Sequence, residues 1–351
     1  MTNTRTSVIL CTHNPRPTYL ERTLHSLRMQ THPLTQWEFL LIDNRSDTPL
    51  ADIWDLSWHP RARHIREDEL GLTPARLRGI KEAEGSLLIF VDDDNVLAPD
   101  YLAHAEIISQ QYPNLGVFGA GRIEPEYEQP LPPELTPLVH LLALKNAPTP
   151  LWSNNPADWR TLPVGAGLCA HRSVAEGFRR IVEAFDVNSI LGRRGVHLFS
   201  GEDDIFSWAA TKLGLGFGIF PELRITHLIP ASRLTHRYFL RLIHDHAYSH
   251  GVLRYLLSGL PPKRIEISRR IRVLLHGIRR GIFSMKCQWA ESRGEDLAAR
   301  FITAHELRPL PALTLHDCRP RTAVPVQQRH ELEARSTSVA AGPPSVDLST
   351  D

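Results

Sequence analysis

Three adjacent carboxylates, Asp92-Asp93-Asp94, follow the apolar run Ser86–Val91. Like charges packed this closely are unfavourable unless a cation offsets them. A hard divalent ion, Mg2+ or Mn2+, prefers oxygen ligands and is often completed by phosphate oxygens. The plainer reading is a solvated acidic turn, with Asp100 capping the next helix. A second cluster, Gly201-Glu202-Asp203-Asp204, opens a helical run. Acids there favour the helix dipole, and one of them could instead take a proton from a hydroxyl as general base. Gly71-Leu72-Thr73-Pro74-Ala75-Arg76 leads into another helix. Thr73 reads as its N-cap, with Pro74 at the first helical position. Such an N-terminus suits an anion, and Arg76 would reach a phosphate or ribose. His227 stands between LRIT and LIP; a lone histidine is either structural or a ligand.

Elements must bring these groups together, and the pattern supplies them. Ser7–Leu10 is a short β-branched strand. Thr18 starts a helix with Leu20, Leu24 and Leu27 on one face. Glu38–Ile42 is a second apolar run ending at Asp43. The helix after Thr73 runs to about Glu84, where Gly85 closes it. SLLIFV is apolar on both faces, as a central parallel strand requires. A helix at Asp100–Gln111 and a strand at Gly116–Ala120 follow. Alternating strands and helices predict an α/β fold, a Rossmann-like, mostly parallel sheet flanked by helices. In such sheets ligands bind beyond the carboxyl ends of the strands. Cys11-Thr12-His13-Asn14, Asp43-Asn44 and Asp92–Asp94 therefore share one edge.

From Glu124 to Pro163 proline recurs, so regular elements should be short or absent. Trp152 and Trp159 mark that segment as a partly ordered loop. Their indole faces either wall a ligand site or pin the loop to the core. Strand and helix signals resume at Val164–Ala170, Ser173–Ala184 and Ile205–Lys212, with final strands at Gly216–Phe220 and Leu223–His227. The chain then turns helical and basic to about Arg300. Between Arg254 and Arg280 eight Lys/Arg face one acid, Glu266. That stretch either packs helices on the preceding domain or lies on an anionic membrane surface. Residues 317–351 carry few large apolar groups and are expected to be disordered. The expected division is 1–232 (halves 1–123 and 124–232), 233–316 as a basic helical extension, and the 317–351 tail.

The 351 residues carry 40 Lys+Arg against 39 Asp+Glu, a net charge of +1. No nucleic-acid partner is expected. Four scattered cysteines without CxxC spacing suit free thiols in a reducing compartment. No apolar run spans a bilayer, so the expected location is cytoplasmic, with peripheral contact at the inner face of the membrane as a variant.

In order, SVILCTHN, FLLIDNRSD, GLTPARLRGIKEAEGSLLIFVDDDN, VGAGLCAHR, GEDD and ITHLIP resemble glycosyltransferase family 2 with its GT-A fold. The resemblance covers roughly Ser7 to Pro230. It implies an inverting transferase that moves a sugar from a nucleoside-diphosphate donor, UDP-linked by expectation, to a saccharide or lipid-linked acceptor in polysaccharide or glycoconjugate biosynthesis. It implies that Thr12, His13, Asn14, Asp43, Arg76, Asp92 and Asp93 hold the nucleotide sugar. Asp92 and Asp94 would be the outer acids of a DxD motif binding Mg2+ or Mn2+, with Asp94 the direct ligand and His227 completing the site. Asp203 would be the catalytic base, with Glu202 orienting acceptor or base. Leu77, Arg45 and His13 depart from residues frequent in that family, at contacts to the nucleotide. A competing reading is a catalytically inactive relative that senses nucleotide sugars. A nucleotidyltransferase ranks lower, because CTHNPRP lacks the glycine-rich phosphate loop.

Overall fold

The computed structural model describes residues 6–185, 201–262 and 281–309. Strands β1 (Thr6–Thr12), β2 (Trp37–Asp43), β3 (Ala62–Arg66) and β4 (Leu87–Asp92) run parallel in the order β3-β2-β1-β4. The sheet continues through β9 (Leu168–His171), β6 (Leu115–Tyr127), β10 (Gly216–Ile229) and β5 (Asn95–Leu97). β9 is antiparallel to both β4 and β6, while β6 and β10 are again parallel. Two short strands, β7 (Lys145–Asn146) and β8 (Leu151–Ser153), pair with β6 and β10. The result is a mixed α/β fold with a mostly parallel central sheet.

Every residue of β1 and β2 is buried. Their side chains alternate between two cores, as the period of a strand demands. Val8 and Leu10 join Phe39, Tyr101, Phe118 and Phe220 on one face. Ile9 and Cys11 join Phe90, Phe178 and Phe206 on the other. Helices α1 (Pro17–Arg28) and α3 (Tyr101–Gln111) cover the first face. Helices α2 (Leu72–Glu82), α4 (Arg172–Phe185) and α5 (Glu202–Lys212) cover the second. There Phe178 and Phe206 stack at 3.9 Å between ring centroids. Burying each such side chain contributes about 1.5–3 kcal/mol.

Helices α6 (His236–Ser258) and α7 (Ile282–Ala304) pack against each other through small residues. A Cβ on Gly294 would lie 2.1 Å from the carbonyl oxygen of His244, and one on Gly251 would lie 2.9 Å from Ala298 Cβ. Tyr248, Val252, Leu253 and Ala298 belong to the same core as Phe206. The rest of the basic stretch, residues 263–280, and the 317–351 tail lie outside the described residues.

Several local expectations are corrected. Helix α2 starts at Leu72 with Gly71 as its N-cap, so Thr73 and Pro74 lie inside the first turn. Thr73 does not cap; its hydroxyl donates to Glu202. The two final strands are one strand, with a register shift between Phe220 and Arg224 where Pro221 interrupts the ladder. Strand β3 went unseen because ARHIR has only one fully buried position and no apolar alternation. The proline-rich segment contains a 3-10 helix, Pro133–Leu142, besides β7 and β8.

Candidate active site

Register places the polar clusters together. Thr12 is level with Asp43, and Cys11 with Asp92, so the carboxyl ends of β1, β2 and β4 form one edge. The Thr12 hydroxyl donates to Asp93. His13 and Asn14 are exposed on the following turn. His13 Nδ1 lies 2.9 Å from the Asn44 carbonyl, and Asn14 bonds Ser46 and Asp47. Asp43 is buried, and both its oxygens are engaged. One accepts from the Ser46 amide at 2.8 Å; the other accepts from the Leu50 amide at 3.1 Å and from Arg66 at 3.0 Å. Burial alone would raise its pKa, but the Ser46 and Leu50 amides and Arg66 outweigh burial and hold it below the usual carboxylate range. Asp43 therefore fixes the 43–50 loop. Within it Arg45 adopts φ 59, a left-handed conformation that favours glycine.

Asp92 and Asp93 are half-buried and Asp94 is buried. Burial, then the charges of Asp94 and Asp92, push Asp93 up to about 6 despite the bond from Thr12. Antiparallel pairing sets His227 beside Asn95, one residue from Asp94. His227 Nε2 is 3.5 Å from Asp94 Oδ2. His227 Nδ1 lies 3.1 Å from the Leu142 carbonyl, which selects the tautomer with the proton on Nδ1 and leaves the Nε2 lone pair toward Asp94. Arg233 enters the same spot, 3.0 Å from Asp94 Oδ2 and 3.4 Å from His227 Nε2.

Arg76 is buried under the same edge. Its Nη1 donates to Glu202 Oε2 at 2.9 Å, and its Nη2 is 3.8 Å from Asp92 Oδ1. Burial opposes its charge, but Glu202 and Asp92 outweigh burial and raise its pKa further. Gly165 passes so close that a Cβ there would lie 2.7 Å from Arg76 Nη2. The Gly165 amide donates to Asp203 Oδ2 at 3.2 Å. A chain of contacts thus runs from Asp203 through Gly165 and Arg76 to Asp92. Asp204 is held well above the usual carboxylate range, by burial first and the Asp203 charge second, with Lys145 opposing. Lys145 itself is pushed down by burial, against the pull of Asp203 and Asp204.

Trp152 is half-buried on β8, opposite Gly218, and packs on the core; Trp159 is 72% exposed in the loop after it. A groove of about 460 Å³ lies between the 3-10 helix, α6 and α7, lined by His140, His246, His250, Arg254, Cys287 and Glu291 among others. It neighbours the Asp203 turn: a Cβ on Gly201 would lie 2.2 Å from Leu253 of α6. Burial first, then His250, lowers the His246 pKa, with the Asp203 charge opposing.

Sequence reasoning passed over Arg233, Lys145, Gly165 and the α6–α7 groove. Arg233 carried a faint signal, a basic residue soon after ITHLIP. Lys145 carried none, and Gly165 only as part of the VGAGLCAHR stretch, because each gains its place from the long irregular segment between β6 and β9.

Residues 7–121 match the model of Glycosyl transferase family 2. Over 97 residues it is 30% identical to EpsH of Bacillus subtilis (strain 168), a match covering 27% of each chain. Over 118 residues it is 35% identical to N-acetylgalactosaminyltransferase 7 of Drosophila melanogaster, covering 32% of this chain and 18% of that protein. The matches thus span about a quarter or less of these relatives' lengths. Among solved structures, the mannosyltransferase PcManGT from Pyrobaculum calidifontis, in complex with GDP-Man and Mn2+, aligns with 96% of this chain and 80% of its own at 16% identity and a TM-score of 0.47.

Proposed function

We propose that the protein is an inverting, metal-dependent glycosyltransferase that moves a sugar from a nucleoside diphosphate to a hydroxyl acceptor. The observation that carries this reading is the joining of two carboxylate groups, Asp92–Asp94 and Glu202–Asp204, through Arg76 at the carboxyl edge of a family 2 domain. Thr12, His13, Asn14 and the loop fixed by Asp43 would receive the nucleotide, a uridine by preference, with Arg76, Asp92 and Asp93 near ribose and diphosphate. The donor set fits a divalent ion: Asp94 Oδ2 and His227 Nε2 converge, and the Leu142 carbonyl keeps the Nε2 lone pair free of its own proton. Two protein ligands leave positions for diphosphate oxygens, as Mg2+ or Mn2+ requires. When bound, the ion would stabilise negative charge on the departing diphosphate.

Asp203 is the proposed base. It would take the acceptor proton as the acceptor oxygen bonds to the anomeric carbon and the bond from that carbon to the diphosphate oxygen breaks. Glu202 is committed to Arg76 and Thr73, so it positions rather than transfers protons. A single carboxylate base supports inversion. The acceptor, a saccharide or a lipid-linked one, would enter along the α6–α7 groove, whose imidazoles offer flat faces and hydrogen-bonding nitrogens. Trp159, exposed in the loop after β8, and Trp152 would add to that wall. Residues 1–123 and 124–232 would be donor and acceptor halves, 233–316 a helical extension and 317–351 a tail. Among the described residues no helix is long and apolar enough to cross a membrane. A cytoplasmic location, with peripheral contact to an anionic membrane, belongs to the same proposal.

A donor screen tests this. UDP- and GDP-sugars with Mn2+ should give metal-dependent hydrolysis or transfer that Asp94→Ala and Asp203→Asn abolish. Nucleotide-sugar binding without turnover under any donor would instead indicate a sensing protein.

A further inference from the structure

Arg233 lies at the end of a short 3-10 turn, Ala231–Arg233, just beyond the last strand. Its guanidinium is 3.0 Å from Asp94 Oδ2 and 3.4 Å from His227 Nε2, and those two atoms are 3.5 Å apart. A cation already sits where an ion shared by the two would sit. The His227 lone pair that accepts from Arg233 is the one a metal would take, because Nδ1 is committed to the Leu142 carbonyl. Guanidinium and divalent ion cannot hold this position together, since like charges at contact distance repel strongly. A long side chain on a turn can leave without moving the strand. A diphosphate beside Asp92–Asp94 would supply the negative charge that lets both cations stay nearby, and planar guanidinium groups pair well with phosphate oxygens.

Resting on the metal reading above, we propose that Arg233 is a built-in counter-cation. It holds the Asp94–His227 pair while no donor is bound, yields that position to the divalent ion, and then pairs with the donor diphosphate. Metal and nucleotide binding are thereby coupled. The ion alone meets a site that is mostly filled, and its apparent affinity falls by the fraction of time the site is free.

The test is a Mn2+ titration read by the electron paramagnetic resonance of the free ion, on the full chain, with and without UDP. Wild type, Arg233→Met, Arg233→Lys and Asp94→Asn are compared. Without UDP, Arg233→Met should bind Mn2+ about tenfold or more tightly than wild type, and Arg233→Lys should shift the same way by less. UDP should tighten Mn2+ binding much more in wild type than in Arg233→Met, because the variant lacks the phosphate partner. Asp94→Asn should lose binding throughout. If Arg233→Met and Arg233→Lys bind Mn2+ no better than wild type while Asp94→Asn still abolishes binding, the exchange is wrong and the metal site stands. If wild type binds no Mn2+ even with UDP, the metal reading fails and the exchange with it. Circular dichroism confirms folding, and Arg233→Lys carries the test if Arg233→Met does not fold.

Discussion

Arg76 and Glu202, 126 positions apart in the chain, form a buried ion pair at 2.9 Å that joins the helix after β3 to the helix carrying Asp203. The other Glu202 oxygen accepts from Thr73. Removing one partner of a buried pair leaves an uncompensated charge, at a cost of about 3–5 kcal/mol. Glu202→Ala should therefore destabilise by that amount in urea denaturation. Replacing both residues together, Arg76→Met with Glu202→Met, should cost clearly less than the two single changes summed. An additive double-mutant cycle would mean that the pair does not couple the two helices.

Asp203 and Asp204 are adjacent but should behave differently. Asp204 is held well above the usual carboxylate range by burial and the Asp203 charge, and asparagine copies its protonated form. Asp204→Asn should keep kcat within about threefold, while Asp203→Asn should lose about 10²–10⁴, the usual contribution of a general base. The check is steady-state transfer at pH 7 with saturating donor. Equal losses in the two variants would contradict the assignment of the base.

His59 provides a pH test of stability. Burial, then the Arg61 charge, push it down to about 4 from an ordinary 6.5. Its Nδ1 accepts from the Arg61 amide, and its ring sits edge-on to Trp37. Between those values the unfolded chain binds a proton and the folded chain does not. Stability is therefore full above about 6.5 and falls as pH drops toward 4, by roughly 2–3 kcal/mol. Denaturation at pH 7 and 4.5 should show that loss. His59→Leu should flatten the slope while lowering stability at both pH values.

Asp43 holds its loop through two amides and Arg66. Asparagine presents an N–H toward at least one of those donors. Asp43→Asn should destabilise by about 2 kcal/mol, the scale of a charged hydrogen bond lost in a buried place. It should also raise KM for the donor more than it lowers kcat, measured by initial rates. An unchanged KM would separate this loop from the nucleotide.

The strands that carry the acidic clusters were legible because a buried parallel strand is a continuous apolar run, and SVIL, EFLLI and SLLIFV stop where the polar residues begin. The edge they share followed from that pattern alone. What failed was local: Thr73 has the residue type of a cap, but tertiary demand from Glu202 took its hydroxyl. Pro221 split one strand into two apparent ones. Lys145 and Arg233 reach the site through the long-range pairing of β7 and β10, and no spacing in the sequence records such pairing. Of the basic stretch, residues 263–280 lie outside the described residues.

A crystal of the full chain grown with UDP and Mn2+, with diffraction recorded at the manganese absorption edge, tests most directly whether the distant carboxylates serve one reaction centre. The expected result is a single anomalous peak within about 2.3 Å of Asp94 Oδ2 and His227 Nε2, touching diphosphate oxygens, with Asp203 facing the same cavity. Manganese bound elsewhere, or UDP bound away from Asp43 and Asp94, would contradict the account.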